Sequence, residues 1–272
     1  MSIHSVSLKG KRESNEDKHT IRLYLDNPDN ADNKYAKVNF YGVYDGHGGK
    51  FVSKYLHDNL HTFFVDKRVK YPLTKSYVNK AYDCIQKNLE DKHCDQSLSC
   101  GSTSLCVIHF EENNSSYLNI MNTGDCRAIL CRNNIGYPLT KDHKPGKPEE
   151  RHRIGQLGGK IYFDGYDWRI NDLSVSRAFG DNESKAYVTH RPDLYKYKIT
   201  KKDKFMVIAC DGLWDVMTSQ DVVDYILENF YDMDTEKKTN KRINVAKKLG
   251  EYAIEKKGST DNITAMVVFF QN

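Results

Sequence analysis

Apolar and polar positions change period several times along the chain, and each change predicts an element. Residues 2–8 alternate apolar and polar, the pattern of an edge strand. Residues 20–25 predict a second strand after a polar turn at 12–17. Residues 26–34, rich in Asn and Asp, predict a hairpin tip. From Val38 to Tyr44 both faces are mostly apolar. Val38, Phe40, Gly42 and Tyr44 share one face, and Tyr41 and Val43 the other, so this strand is covered on both sides. After Gly49 the spacing becomes helical. Val52, Tyr55, Leu56, Leu60 and Phe63 form one stripe, and Val78, Ala81, Ile85 and Leu89 form a second beyond Pro72. Residues 102–110, 117–122 and 128–132 then read as strands, with a turn at 111–116 and a Gly124-Asp125 hairpin. Residues 149–157 predict a short helix, broken by Gly158-Gly159. Residues 163–168 read as an irregular, mobile flap. Residues 205–210 form a continuous apolar run, the mark of a buried strand. Thr218 or Ser219 caps a helix carrying Val222, Val223, Ile226 and Phe230. Ile243, Ala246, Leu249 and Tyr252 line the last helix, which Gly258 stops, and residues 263–270 form the final strand. Helices in two groups with strands between them predict an α+β domain, with helices layered outside two packed sheets. With no linker, repeat or low-complexity tract, residues 1–272 are expected to form a single domain.

Composition narrows the function classes. The chain has 272 residues, 39% of them hydrophobic, enough for a sizeable core. Lys+Arg total 41 against 37 Asp+Glu, a mild surplus spread along the chain. It gives no electrostatic case for nucleic acid or membrane binding. The seven cysteines, Cys84, Cys94, Cys100, Cys106, Cys126, Cys131 and Cys210, contain no CxxC pair and are odd in number. Free thiols in a reducing compartment are expected, without disulfides or structural zinc. The first residues lack the apolar core of a signal peptide, position 2 is Ser rather than the Gly that myristoylation needs, and no apolar run is long enough to span a bilayer. An intracellular, cytoplasmic or nuclear location is expected, and a monomer.

Candidate chemistry sits where strands end. Asp45-Gly46-His47-Gly48-Gly49 closes the doubly apolar strand, and Asp211-Gly212 closes the run at 205–210. Glu16-Asp17 lies between the first two strands, and Asp261-Asn262 precedes the last. Asp and Gly are common in plain turns, and these positions also suit unrelated caps and turns. If the strands lie side by side, however, the carboxylates meet at one rim and repel each other unless a cation neutralises them. Oxygen donors without a Cys/His set suit Mg²⁺ or Mn²⁺. Asp45 can bind such a cation, Gly46 can offer its carbonyl, and His47 can move a proton near neutral pH. Arg12, just before Glu16-Asp17, can hold a phosphate with two parallel hydrogen bonds or form a surface ion pair. The polar yet regular stretch 173–181 has no chemistry of its own at this level.

These residues, in this order, resemble the metal-dependent protein phosphatases of the protein phosphatase 2C family. The resemblance runs through Arg12-x-x-x-Glu16-Asp17, Tyr44 to Gly49, Gly101-Ser102-Thr103, Gly124 to Ala128 and Asp142-His143-Lys144-Pro145. It continues through Glu150-x-x-Arg153-Ile154, Gly158-Gly159, residues 173–181, Asp211 to Asp215 and Thr260-Asp261-Asn262. It implies a four-layer α-β-β-α sandwich of two antiparallel sheets flanked by helices, with two divalent cations, Mn²⁺ or Mg²⁺, at one end. Carried over, Asp45 bridges both metals, Gly46 binds one through its carbonyl, and Asp211 and Asp261 bind the other. Glu16 and Asp17 hold metal-bound waters, Arg12 binds the substrate phosphate, and His47 is the general acid. Asp125 and Asp215 match residues that hold a third, weaker metal in some members. Cys126 stands where Ser is usual, but it supplies no ligand. The implied activity is hydrolysis of phosphoserine and phosphothreonine in proteins by a metal-activated water, without a phosphoenzyme intermediate. Substrate choice then falls to loops such as 26–34, 162–168 and 232–240.

Two rival functions are weaker. A binding protein on the same fold would have lost ligands, whereas Asp45, Asp211 and Asp261 are all present. A two-metal nuclease would carry an aromatic-basic stripe, which is missing.

Overall fold

The computed structural model describes residues 1–23, 38–64, 69–233, 235, 237–239 and 242–270. The predicted tip at 26–34 and part of the 232–240 loop lie outside the described residues. Two five-stranded antiparallel sheets form the centre. Ten strands build them: β1 (Ser2–Leu8), β2 (Lys18–Arg22), β3 (Val38–Tyr44), β4 (Ser104–Glu112), β5 (Ser115–Thr123), β6 (Arg127–Arg132), β7 (Ile135–Pro138), β8 (Asp193–Ile199), β9 (Asp203–Ala209) and β10 (Ile263–Phe269). One sheet runs β1-β10-β9-β6-β7 and the other β8-β5-β4-β3-β2. β1 is an edge strand, as its alternation predicts.

Three apolar layers hold the sandwich. Tyr41, Val43, Leu105 and Val107 of one sheet meet Leu130, Met206, Ile208 and Met266 of the other. On the outer face of the β3 sheet, Phe40, Tyr44 and Ile108 pack on Leu56 of α1 (Phe51–Asn59) and on Tyr82, Ile85 and Leu89 of α2 (Lys75–Lys92). On the outer face of the β9 sheet, Val207, Ala209 and Val267 pack on Val222 and Ile226 of α5 (Ser219–Phe230) and on Ala246 and Leu249 of α6 (Val245–Glu255). Two further helices, α3 (Pro148–Gln156) and α4 (Asp211–Trp214), lie nearer the site. The result is a four-layer α-β-β-α sandwich. β3 and β9 are apolar on both faces because each divides two of these layers. Thr218 caps α5 in a capping box with Asp221, and Asn244 caps α6, which leaves Ile243 just outside the helix.

Local pattern and structure part in several places, and the strands β7 and β8, which bury little, are not predicted at all. Gly124-Asp125 is not a hairpin: β5 and β6 lie in different sheets, and the turn crosses between them. Two apolar strands joined by a short turn look alike whether they pair edge to edge or pack face to face. Residues 163–168 are a hairpin rather than an irregular loop, with Tyr162–Phe163 paired to Trp168–Arg169. Its side chains are largely exposed, so no alternation announces it. Asp164 holds the turn, accepting the Tyr166 and Asp167 amides at 2.8 and 2.7 Å. The turn at 111–116 narrows to Asn113-Asn114, both in the left-handed region, because β4 and β5 outrun the buried part of the sheet. Gly101–Ser102 leaves β4 and pairs with Gly46–His47 and Phe179–Gly180 in a small ribbon beside the site.

Candidate metal centre

Antiparallel pairing assembles the carboxylates. Lys18 opposes Tyr44, so Asp17 at the start of β2 lies beside Asp45 at the end of β3. Ala209 opposes Ala265, so Asp211 past the end of β9 lies beside Asp261 before β10. Stacking the two sheets then brings the two pairs together. A cavity of about 450 Å³ opens there, lined by Arg12, Glu16, Asp45, Gly46, His47, Asp125, Asp211 and Asp261 among others. Asp17 sits beneath it, 2% exposed, with neither carboxylate oxygen meeting a hydrogen-bond partner. Oxygens of Asp17 and Asp45 and the Cys210 sulfur come within 4.8 Å of one another.

The electrostatics of this cluster are unfavourable as it stands. Burial first, then Asp211, Asp17 and Asp125, push the Asp45 carboxyl far above its ordinary range. Burial also raises Asp17, with Asp211 and Asp261 adding to it. Burial and Asp215 raise Asp211. Repelling carboxylates with orphaned oxygens fit a divalent cation, which would supply the missing partner and charge. The Cys210 thiol is pushed well up by burial and by Asp17 and Asp45, and it donates to the Asn262 carbonyl at 3.4 Å.

Around the cluster lie groups that orient it. Glu16 accepts the Gly49 amide at 3.0 Å, and its own amide donates to Asn262 Oδ1 at 2.9 Å. Asn262 also donates to the carbonyls of Lys9 and Ser14 at 2.7 and 2.9 Å, pinning the segment that carries Arg12 to the start of β10. Arg12 reaches Asp261 Oδ2 at 2.6 Å and remains largely exposed. His47 donates from Nε2 to Asp181, 2.8 Å away, and Asp181 is almost fully buried. That contact requires Gly101, where a Cβ would collide with both Asp181 Oδ2 and His47 Nε2. Lys144 joins Asp125 and Asp215, its Nζ 3.5 Å from an oxygen of each.

A second tier sits behind Asp125. His143 Nδ1 accepts the Gly124 amide at 3.2 Å, and Nε2 faces Asp193 Oδ2 at 3.2 Å. Arg177 joins Asp193 to Glu150, and Arg153 binds the other oxygen of Glu150. The stretch 173–181 thereby gains its chemistry: Arg177 anchors this network and Asp181 holds His47. Arg127 grips Asp142 through two hydrogen bonds, at 2.6 and 3.1 Å, and lies over the Trp214 ring.

A family model described as Protein phosphatase 2C matches residues 1–263. The chain belongs to the protein phosphatase 2C family. Among its relatives, a probable protein phosphatase 2C of Oryza sativa subsp. japonica is 35% identical over 266 residues, 97% of this chain and 86% of that protein. A PP2C-like domain-containing protein of Acanthamoeba polyphaga mimivirus is 42% identical over 175 residues, 58% of this chain and 97% of that protein. The fold matches the serine-threonine phosphatase 2C of Toxoplasma gondii, with a TM-score of 0.77 at 24% identity, covering 99% of this chain and 94% of that one. No helix among the described residues of this protein phosphatase 2C chain is long and apolar enough to cross a membrane. All seven cysteines are free. Sequence reasoning assigned no role to Asp181, Asn262, Arg177 or Lys144, although each lies within a stretch that carries the family resemblance.

Proposed function

We propose that the chain hydrolyses phosphoserine and phosphothreonine in proteins, with two divalent cations at the carboxylate cluster and no phosphoenzyme intermediate. The convergence of Asp17, Asp45, Asp211 and Asp261 carries this reading. Asp45, the Gly46 carbonyl, Asp211 and Asp261 would hold Mn²⁺ or Mg²⁺, with Glu16 and Asp17 placing the waters around them. When bound, such ions activate water near neutral pH and neutralise charge on the phosphoryl group.

The chain's own groups do the rest. Arg12, at the mouth of the cavity, can turn from Asp261 to two phosphate oxygens, because more than half of its side chain is exposed. His47 protonates the departing Ser or Thr oxygen. Asp181 occupies Nε2, so Nδ1 is the atom left to face the leaving group, and Asp181 fixes the ring. Substrates are phosphoproteins, and the cavity is open enough to admit a phosphorylated side chain.

The test is phosphate release from a phosphopeptide library with Mn²⁺ or Mg²⁺, repeated after verified metal removal. Activity that returns only with added metal supports the proposal. Full turnover by the metal-free protein refutes it.

A further inference from the structure

We propose that the Lys144 ammonium is a built-in cation at the position of the third metal, and that it competes there with a divalent ion. The proposal rests on the two-cation reading of the centre and goes beyond it. Lys144 Nζ stands 3.5 Å from Asp125 Oδ2 and 3.5 Å from Asp215 Oδ1. That distance is close enough to neutralise charge but too long for a good hydrogen bond. Asp125 is 1% exposed, and neither of its oxygens has a hydrogen-bond partner. Its lone pairs are therefore still free to bind a metal.

Lys144 cannot leave by moving its backbone. The preceding residue, His143, donates its amide to the Gly124 carbonyl at 3.0 Å and accepts the Gly124 amide on its ring at 3.2 Å. The ammonium is thus tethered to the turn that carries Asp125, and only its side chain can swing away.

An opposite charge within about 4–6 Å changes a carboxylate's proton affinity by roughly 10- to 1000-fold. A divalent ion relieved of the same competitor should bind at least about tenfold more tightly. Mn²⁺ titration followed by the electron paramagnetic resonance of the free ion tests this without any turnover. Wild type should bind two ions tightly and a third weakly. Lys144→Met and Lys144→Gln, each verified as folded by circular dichroism, should tighten the third site at least about tenfold and leave the first two unchanged. Lys144→Arg should keep it weak, and adding Asp125→Asn to Lys144→Met should abolish the gain. Isotherms of both neutral variants that superimpose on a wild type with two tight sites would overturn the proposal while sparing the metal centre. A wild type with no tight sites would overturn both.

Discussion

Glu150→Gln isolates one charge in the network behind Asp125. Glu150 is 3% exposed, and both its oxygens are occupied. Arg177 donates to Oε1 at 2.6 and 2.9 Å, and Arg153 to Oε2 at 2.8 and 3.1 Å. Burial alone would push this carboxyl up, but the two guanidiniums outweigh it and hold it at about 2, against an ordinary 4.5. At 1.36 kcal/mol per pKa unit, the difference corresponds to about 3 kcal/mol of stability. Removing one partner of a buried ion pair costs about 3–5 kcal/mol, a similar size. The folded value lies below the unfolded one, so the stabilisation is fully present above pH 4.5 and is lost as pH falls toward 2. Glu150→Gln lacks the charge at every pH. Urea unfolding of both proteins should therefore give a gap of about 3 kcal/mol at pH 7, narrowing to about 2 kcal/mol by pH 3.5. A gap of the same size at both pH values would refute the electrostatic explanation and leave packing as the cause.

Three further outcomes are expected. Asp211→Asn should abolish turnover but raise the metal-free melting temperature by about 2–4 °C for each kcal/mol of repulsion relieved, read by differential scanning calorimetry; a folded variant with wild-type turnover would contradict its place in the centre. His47→Ala should lose on the order of 10²–10⁴-fold on phosphoserine or phosphothreonine peptides and little on a nitrophenyl phosphate, whose leaving group needs no proton. Equal losses at saturating metal, with chemistry limiting the rate, would reassign His47 to positioning water. Gly101→Ala should lower kcat on phosphopeptides by displacing His47 from Asp181, while Mn²⁺ binding stays close to wild type; unchanged kcat would show that the contact does not matter to catalysis.

The sequence alone determined the elements with a buried face. β3 and β9 were legible because strands dividing two apolar layers must be apolar on both sides. α1, α2, α5 and α6 were legible because one face of each meets a sheet and repeats at the helical period. The carboxylates were legible as chemistry because Asp45, Asp211 and Asp261 fall at strand ends, where an apolar run stops abruptly. Tertiary structure decided what those ends meet. Antiparallel register placed Asp17 beside Asp45 and Asp211 beside Asp261, and stacking of the sheets joined the pairs. It also turned Gly124-Asp125 from a hairpin into a crossing between sheets, which carries Asp125 to the cavity. The partners of polar side chains were not legible at all. Asp181 lies 134 positions from His47, and Arg177 lies 27 from Glu150. Hydrophobic periodicity reports only which face of an element is dry. A hydrogen bond or ion pair between distant residues leaves no period in the chain, so only the folded backbone, with Gly101 leaving room for His47 to reach Asp181, could determine it.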